Sequence, residues 1–292
     1  MIDSKKNNNY GTIYIVATPI GNLNDLSPRA QQILAEVNLI AAEDTRHSQA
    51  LLKHFNIQTP MTSYHEHNEE EKALYLLEKV CQGQNIAIIS DAGTPLISDP
   101  GYQIVAKAAV AGIKIVPVPG PCAAIAALSA AGLPSAKFLF IGFLAAKTTS
   151  RKKELLNYKE YPYTLVCYES THRIMETLAD LKEIMPERKL SIARELTKTF
   201  ETILHGTVEQ LWEILVKDAN QQKGEFVLVI APAEKKIEQE KIELGVEKIL
   251  AELLTELPLK KAVNLAAKIT GERKNKLYDQ ALEIRHTYDN KP

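Results

Sequence analysis

The chain has 292 residues, 45% of them hydrophobic and 24% charged, with a formal net charge of −1. That length suits two core-bearing domains and a small appendage, because domains usually hold about 100–200 residues. The charge balance excludes a globally basic nucleic-acid binder and leaves local patches to make any such contact, while three scattered cysteines outside any CxxC pair argue against a disulfide framework or a thiolate metal site and fit a reducing cytoplasm.

The first nine residues hold Asp3, Lys5, Lys6 and an asparagine run, with no apolar core of an export signal, and read as a frayed tail. Runs rich in β-branched residues at 12–17, 39–42, 86–90 and 113–118 then alternate with helical patterns at 27–36, 45–55, 69–81 and 101–111. Such alternation predicts βαβ units on a mainly parallel sheet. A helix is expected over 122–131, followed by strands over 138–143, 164–169, 190–194, 201–205 and 226–231. No helix separates the strands at 190–194 and 201–205, so this half should be mixed, with an antiparallel portion. The uncharged stretch Ile115–Ala136 nears the length of a membrane span. Its prolines and Gly120 would break a helix in the first third, so a buried floor is expected there, not an anchor. After a Glu/Lys-rich helical stretch over 235–256, the segments 259–269 and 272–284 flank Thr270 and Gly271 as two short helices at helix-turn-helix spacing. The predicted fold is therefore α/β: domains over 10–118 and 119–234 enclosing a cleft, and a helical module over 235–292.

Three loops carry the functional signal. Ser90–Gly101 (SDAGTPLISDPG) and Pro117–Pro134 (PVPGPCAAIAALSAAGLP) each begin where an apolar strand stops, so both should lie at strand C-terminal ends, where open α/β sheets bind ligands. In the second, Pro117, Pro119 and Pro121 fix φ and withhold N–H groups while Gly120 permits close backbone approach, a floor for a flat, mostly uncharged ligand. Ile13–Pro28 (IYIVATPIGNLNDLSP) repeats the grammar of strand, turn and helix start, with Pro28 just inside the helix. It lacks GxGxxG, and no GxxxxGK[ST] occurs anywhere, so polyphosphate cofactors are disfavoured.

With Ala42–Arg46 (AEDTR), Tyr168–Arg173 (YESTHR), Ala193–Lys198 (ARELTK) and Gly224–Val229 (GEFVLV), these make seven motifs in order, and together they resemble the tetrapyrrole methylase superfamily, most closely its ribosomal branch. The resemblance runs from about Tyr10 to Pro232 and on into the tail. It implies two α/β domains facing a cleft and a cytoplasmic enzyme dependent on S-adenosyl-L-methionine. Its substrate would be a ribose 2′-hydroxyl of 16S ribosomal RNA, at cytidine 1402 near the decoding centre, with the small ribosomal subunit as its setting and a homodimer as the active form. It carries over Ile20, Gly93, Thr94 and Ser98, then Cys122 and Ala123, then Leu144, Tyr168 and Ala193 as cofactor-lining positions. Asp91 directly follows an apolar strand, so its carboxylate would reach the cofactor's ribose or amino groups; the alternative is a turn or helix cap. Ser98 and Asp99 serve equally well as caps before Pro100. Cys122 is expected to pack, not to act as a nucleophile.

Methyl transfer from a sulfonium to a hydroxyl asks the protein for alignment and one base. Among charged residues that follow strands, Arg46, Glu169 and Arg194 rank first for catalysis and RNA grip. The competing readings are a helix cap for Glu43, Asp44 and Arg46 and a structural ion pair for Glu169 and Arg173. Lys147, Arg151 and Lys152 lie in a basic, hydroxyl-rich loop (KTTSRKK) that would clamp RNA phosphates or act as a lid, or else start a helix capped by Ser150. Lys260, Lys261, Arg273 and Lys274 make the C-terminal helices basic, either as a solvated face or as phosphate contacts. His65 to His67 alternate on a strand-like piece without a third ligand, and no catalytic metal is expected. Two other functions share parts of this pattern: a tetrapyrrole C-methyltransferase, which would have no use for the basic segments, and a non-enzymatic ligand-sensing nucleic-acid regulator.

Overall fold

The computed structural model describes residues 9–65, 68–234 and 239–289, the last stretch with side chains for 245–284. The expectations for residues 1–8, Glu66, His67 and 235–238 lie outside these. Contacts divide the chain into two compact units, Met1–Ala233 and Glu234–Pro292.

The first unit holds two five-stranded sheets. In the first, β1 (Thr12–Val16), β2 (Leu39–Ala42), β3 (Met61–Ser63), β4 (Ile86–Ile89) and β5 (Lys114–Val118) run in the order β3-β2-β4-β1-β5, all parallel. β2 and β4 are buried at every position, as their uninterrupted apolar runs require of parallel strands covered on both faces. One face packs under α1 (Pro28–Glu36) and α2 (Thr45–His54), through Leu34 and Leu52. The other packs under α3 (Glu69–Cys81) and α4 (Tyr102–Val110), through Leu76, Val80 and Ile104. α1 starts where predicted because Ser27 accepts from the Ala30 N–H at 3.1 Å and Pro28 presets the first turn.

The second sheet contains β6 (Phe138–Phe143), β7 (Thr164–Ser170), β8 (Lys189–Arg194), β9 (Thr202–Thr207) and β10 (Glu225–Ile230) in the order β6-β7-β10-β8-β9. Only β6 and β7 pair in parallel; β7–β10, β10–β8 and β8–β9 are antiparallel. α5 (Ala123–Ala130) covers one face through Ala124, Ala127 and Leu128. α6 (Thr148–Asn157), α7 (Ile174–Ile184) and α8 (Val208–Lys217) cover the other through Leu155, Leu178 and Leu211. Ile115–Ala136 resolves into β5, the proline linker and the eight residues of α5. Among the described residues no helix is long and apolar enough to cross a membrane.

Two expectations are corrected. The segment 147–153 is not a loop: Lys147 is the N-cap and α6 starts at Thr148, with no cap from Ser150. A helix forms because Arg151 and Leu155, one turn apart, both turn inward and are fully buried. Ser98 and Asp99 do not cap α4, whose N-cap is Gly101; Glu69 of α3 supplies the carboxylate, accepting from the Gly101 and Gln103 N–H groups at 3.1 Å each.

The second unit is a three-helix cluster of α9 (Gln239–Glu256), α10 (Leu259–Thr270) and α11 (Lys274–Asp289) around Leu250, Val263, Leu277 and Ala281. The left-handed Gly271 (φ 73°) ends α10.

Candidate functional site

β1 and β4 are adjacent, and the chain leaves them in opposite directions across the sheet, which opens a crevice at their C-terminal ends. There the two loops are locked together: Thr18 and Gly93 exchange backbone hydrogen bonds of 2.8 and 3.1 Å, and the Thr18 hydroxyl donates to the Ser90 carbonyl at 3.1 Å. Gly93 has φ +83°, and a Cβ added there would sit 3.4 Å from Ile20 Cγ2. The Thr94 hydroxyl donates to Pro121 O at 2.9 Å, tying this loop to the proline linker. At Gly120 a Cβ would come within 3.0 Å of the Ala17 Cβ, the close approach that its place in the linker suggested.

The crevice opens into a cavity of about 390 Å³ between the two sheets. Ile20, Asp91, Gly93, Thr94 and Ser98 line it from the first half, and Ala123, Tyr168 and Ala193 from the second. Sequence reasoning missed Ile97, Phe143, Leu196, Phe226 and Val227, which make much of its apolar wall. Phe226 and Val227 open a buried strand and so look like core, while Phe143 at the end of β6 carries no local signal. Cys122 stands at the start of α5 beside the Tyr168 side chain, and the Tyr168 hydroxyl accepts from the Ala124 N–H at 3.3 Å. Burial and the neighbouring Cys122 push the Tyr168 phenol up, so it stays neutral.

Five acidic residues line this cavity, Glu43, Asp91, Asp99, Glu169 and Glu225, although the Glu169 side chain is itself fully buried, and among the described residues no Lys, Arg or His lines it. Asp91 accepts from the Asp44 N–H at 3.0 Å, and Glu43 accepts from the Asp91 N–H at 3.4 Å. Burial, with Asp91 and Asp44 nearby, raises the Glu43 carboxyl above its ordinary value. Burial and the charges of Glu43 and Asp91 push Asp99 up to about 6, against a hydrogen bond from Ser90. Two rim loops hold non-glycine residues in the left-handed region: Leu96 (φ 72°) and Ser98 (φ 69°) after β4, Glu195 (φ 50°) and Thr197 (φ 67°) after β8. Backbone strain of this kind persists where the surroundings over-determine a functional geometry.

Several expected residues sit elsewhere, for reasons of strand alternation and pairing. Leu144 is 2% exposed in the core under α6–α8, and Phe143 reaches the cavity in its place. On β7, Tyr168 faces α5, so Glu169 faces the opposite helices. Its carboxylate accepts from Thr177 Oγ1 at 2.6 Å and the Ser170 N–H at 2.7 Å, and pairs with Arg173 at 2.9 Å. These contacts clasp β7 to α7, the geometry of the ion-pair reading. On β8, Ala193 faces the cavity, so Arg194 points away; its guanidinium donates to Lys223 O at 2.6 Å and Phe200 O at 3.1 Å beside a separate cavity. Arg46 is 90% exposed and paired with Asp44 at 2.8 Å, and Asp44 itself caps α2. Arg151 cannot reach RNA: it is fully buried, bound to Asp180 at 2.6 Å and Glu176 at 3.3 Å. Lys152 pairs with Glu183 at 2.5 Å, while Lys147 is exposed. In the second unit Lys260, Lys261, Arg273 and Lys274 are all exposed. Among the described residues no three His, Cys, Asp or Glu side chains converge as a metal site.

The family model for tetrapyrrole (corrin/porphyrin) methylases matches residues 12–211, and a model described as the RsmI C-terminal HTH domain matches residues 240–285. Ribosomal RNA small subunit methyltransferase I of Pseudomonas aeruginosa is 53% identical over 94% of this chain and 97% of its own length; that of Haemophilus influenzae is 51% identical over 93% and 96%. The crystal structure of uroporphyrin-III C-methyl transferase from Thermus thermophilus complexed with S-adenyl homocysteine shares the fold, with a TM-score of 0.52 and 19% identity over 76% of this chain and 97% of that one. The chain thus belongs to the tetrapyrrole methylase family, within its group of ribosomal RNA small subunit methyltransferases I.

Proposed function

We propose that this protein transfers a methyl group from S-adenosyl-L-methionine to the ribose 2′-hydroxyl of cytidine 1402 in 16S ribosomal RNA. The observation that carries the cofactor is the charge of the cavity: carboxylates without a lysine, arginine or histidine favour a ligand with positive charge and exclude a polyphosphate. S-adenosyl-L-methionine has two cations, its sulfonium and its ammonium, on an otherwise flat nucleoside, and a cavity of about 390 Å³ is within the usual range for such ligands. Asp91 and Thr94 would orient its polar groups, and Ile20, Ala123, Tyr168 and Ala193 would pack against the nucleoside. When bound, it supplies the electrophilic methyl; the chain aligns the hydroxyl and excludes water.

The ribosomal relatives at about half identity favour this substrate over a porphyrinoid, as does the C-terminal unit with its exposed Lys260, Lys261, Arg273 and Lys274. Those residues, with Arg46 and Lys147, would hold phosphates and not read bases. The reading extends to a cytoplasmic homodimer acting on the small ribosomal subunit. Labelled cofactor incubated with small subunits from a strain lacking the modification, followed by nucleoside digestion, should give labelled 2′-O-methylcytidine. Label confined to the base, or transfer to tetrapyrrole precursors and not to RNA, contradicts the proposal.

A further inference from the structure

We propose that Asp99 is the base that takes the proton from the ribose hydroxyl, an assignment that rests on the function just given. The cavity offers few acceptors. Glu169 is consumed by Thr177, Ser170 and Arg173. Glu225 pairs with Lys198 at 2.9 Å on the exposed rim. Asp91 holds the Asp44 N–H and Glu43 holds the Asp91 N–H, so both carboxylates brace the loops they join. The Tyr168 phenol is held neutral and accepts from α5.

Asp99 differs from all of these. It lines the cavity, is released from capping α4 by Glu69, and has the Ser90 hydroxyl beside it in place of a basic partner. The loop that presents it is bent through two left-handed non-glycine residues, Leu96 and Ser98, and a Cβ on Gly142 of β6 would meet Ser98 Oγ at 3.3 Å, so the loop is pressed against the second sheet. Glu43 from the end of β2, Asp91 from the end of β4 and Tyr168 from β7 face it electrostatically, and none of the three is a cation. A carboxylate raised to about 6 by these neighbours and by burial is still ionised at neutral pH, yet is a far better proton acceptor than an ordinary one.

In the step itself the O2′–H bond breaks and the proton passes to an Asp99 oxygen. The oxygen's electron pair forms the bond to the methyl carbon, and the carbon–sulfur pair stays with the departing sulfur, which becomes neutral. Charge balances: the carboxylate is neutralised as the sulfonium is.

The test is single-turnover methyl transfer to small subunits between pH 5 and 8, with cofactor affinity measured separately by calorimetry. Wild type should lose rate below about pH 6. D99N should be slower by about 10²–10⁴-fold at saturating cofactor, still bind it, and show no acidic limb. E43Q, which removes a like charge beside Asp99, should move the limb to lower pH, a displacement that a merely structural Asp99 would not produce. A D99N rate within tenfold of wild type, a D99N protein that no longer binds cofactor, or an E43Q limb that stays in place each overturns the assignment while leaving the methyltransferase reading intact. A wild-type protein that binds cofactor but methylates no RNA overturns both.

Discussion

At the residue scale, the fold sets single carboxylates and cations to different tasks by what surrounds each. Asp99 is strained electrostatically: its acidity drops because burial and two like charges disfavour ionisation. Since its folded value is raised from 3.8 to about 6, the native state binds the extra proton, and folding stability falls as pH rises through that window. D99N should therefore unfold at a higher temperature than wild type at pH 7.5 and at the same temperature near pH 4. Solvent that reaches this half-buried group reduces the gain to about 1 kcal/mol, or roughly 2–4 °C for a chain of this size. A lower melting temperature for D99N at pH 7.5 would contradict the account. Arg151 is the opposite case, a buried cation whose loss strands Asp180. R151M should cost about 3–5 kcal/mol in denaturant unfolding and, where folded, leave the KM for small subunits unchanged; a specific rise in KM at wild-type stability would restore an RNA contact. Such distinctions were not legible in sequence, where Arg151 and Lys152 are neighbours in one basic run and only the turn of α6 sends one inward.

At the scale of elements, strands were the most legible part, because buried parallel strands such as β2 and β4 are apolar at every position and stop at Pro/Gly loops. β3 has three half-buried residues and no such run. α7 starts at Ile174, and its N-cap, Arg173, makes no side-chain capping bond, so nothing local announces it. α8 does carry a signal, the Thr207–Gln210 capping box. The loops after β1 and β4 and the proline linker were placed correctly from their punctuation, but which face a residue takes was not. Leu144 and Arg194 each stand one position from a cavity-lining residue, Phe143 and Ala193, and along an extended chain one position is the other face. Gly93 tests the loop lock directly. Forcing a Cβ into its left-handed backbone costs about 1–2 kcal/mol, and since that Cβ would touch Ile20, which also lines the cavity, G93A should weaken cofactor binding about tenfold. Gly112, also left-handed (φ +69°) with open space around it, is the control: G112A should lose similar stability and bind cofactor as wild type does. Equal affinities for the two variants in calorimetry would remove the loop from the site.

At the scale of the molecule, one compact unit encloses a cavity lined by acidic residues, and the other carries the exposed Lys260, Lys261, Arg273 and Lys274. With a net charge of −1, any hold on an anionic polymer falls to such local patches. Replacing Lys260, Lys261 and Lys274 together by Gln should weaken small-subunit binding and flatten its dependence on log salt by about 2, near 0.7 per lost phosphate contact, while leaving cofactor affinity untouched. An unchanged salt slope would make these helices a solvated face. The basic C-terminal segments were visible in composition; that no basic side chain among the described residues lines the cavity was not, since its five acidic residues come from loops and strand ends spread from Glu43 to Glu225.

The most direct measurement expresses this chain in a bacterium deprived of its own copy of this methyltransferase and maps ribose methylation along 16S ribosomal RNA by reverse transcription at limiting nucleotide. The account predicts one restored 2′-O-methyl stop at cytidine 1402 with wild type and none with D91A. A stop at another nucleotide, or no stop with a folded wild-type protein, would contradict it.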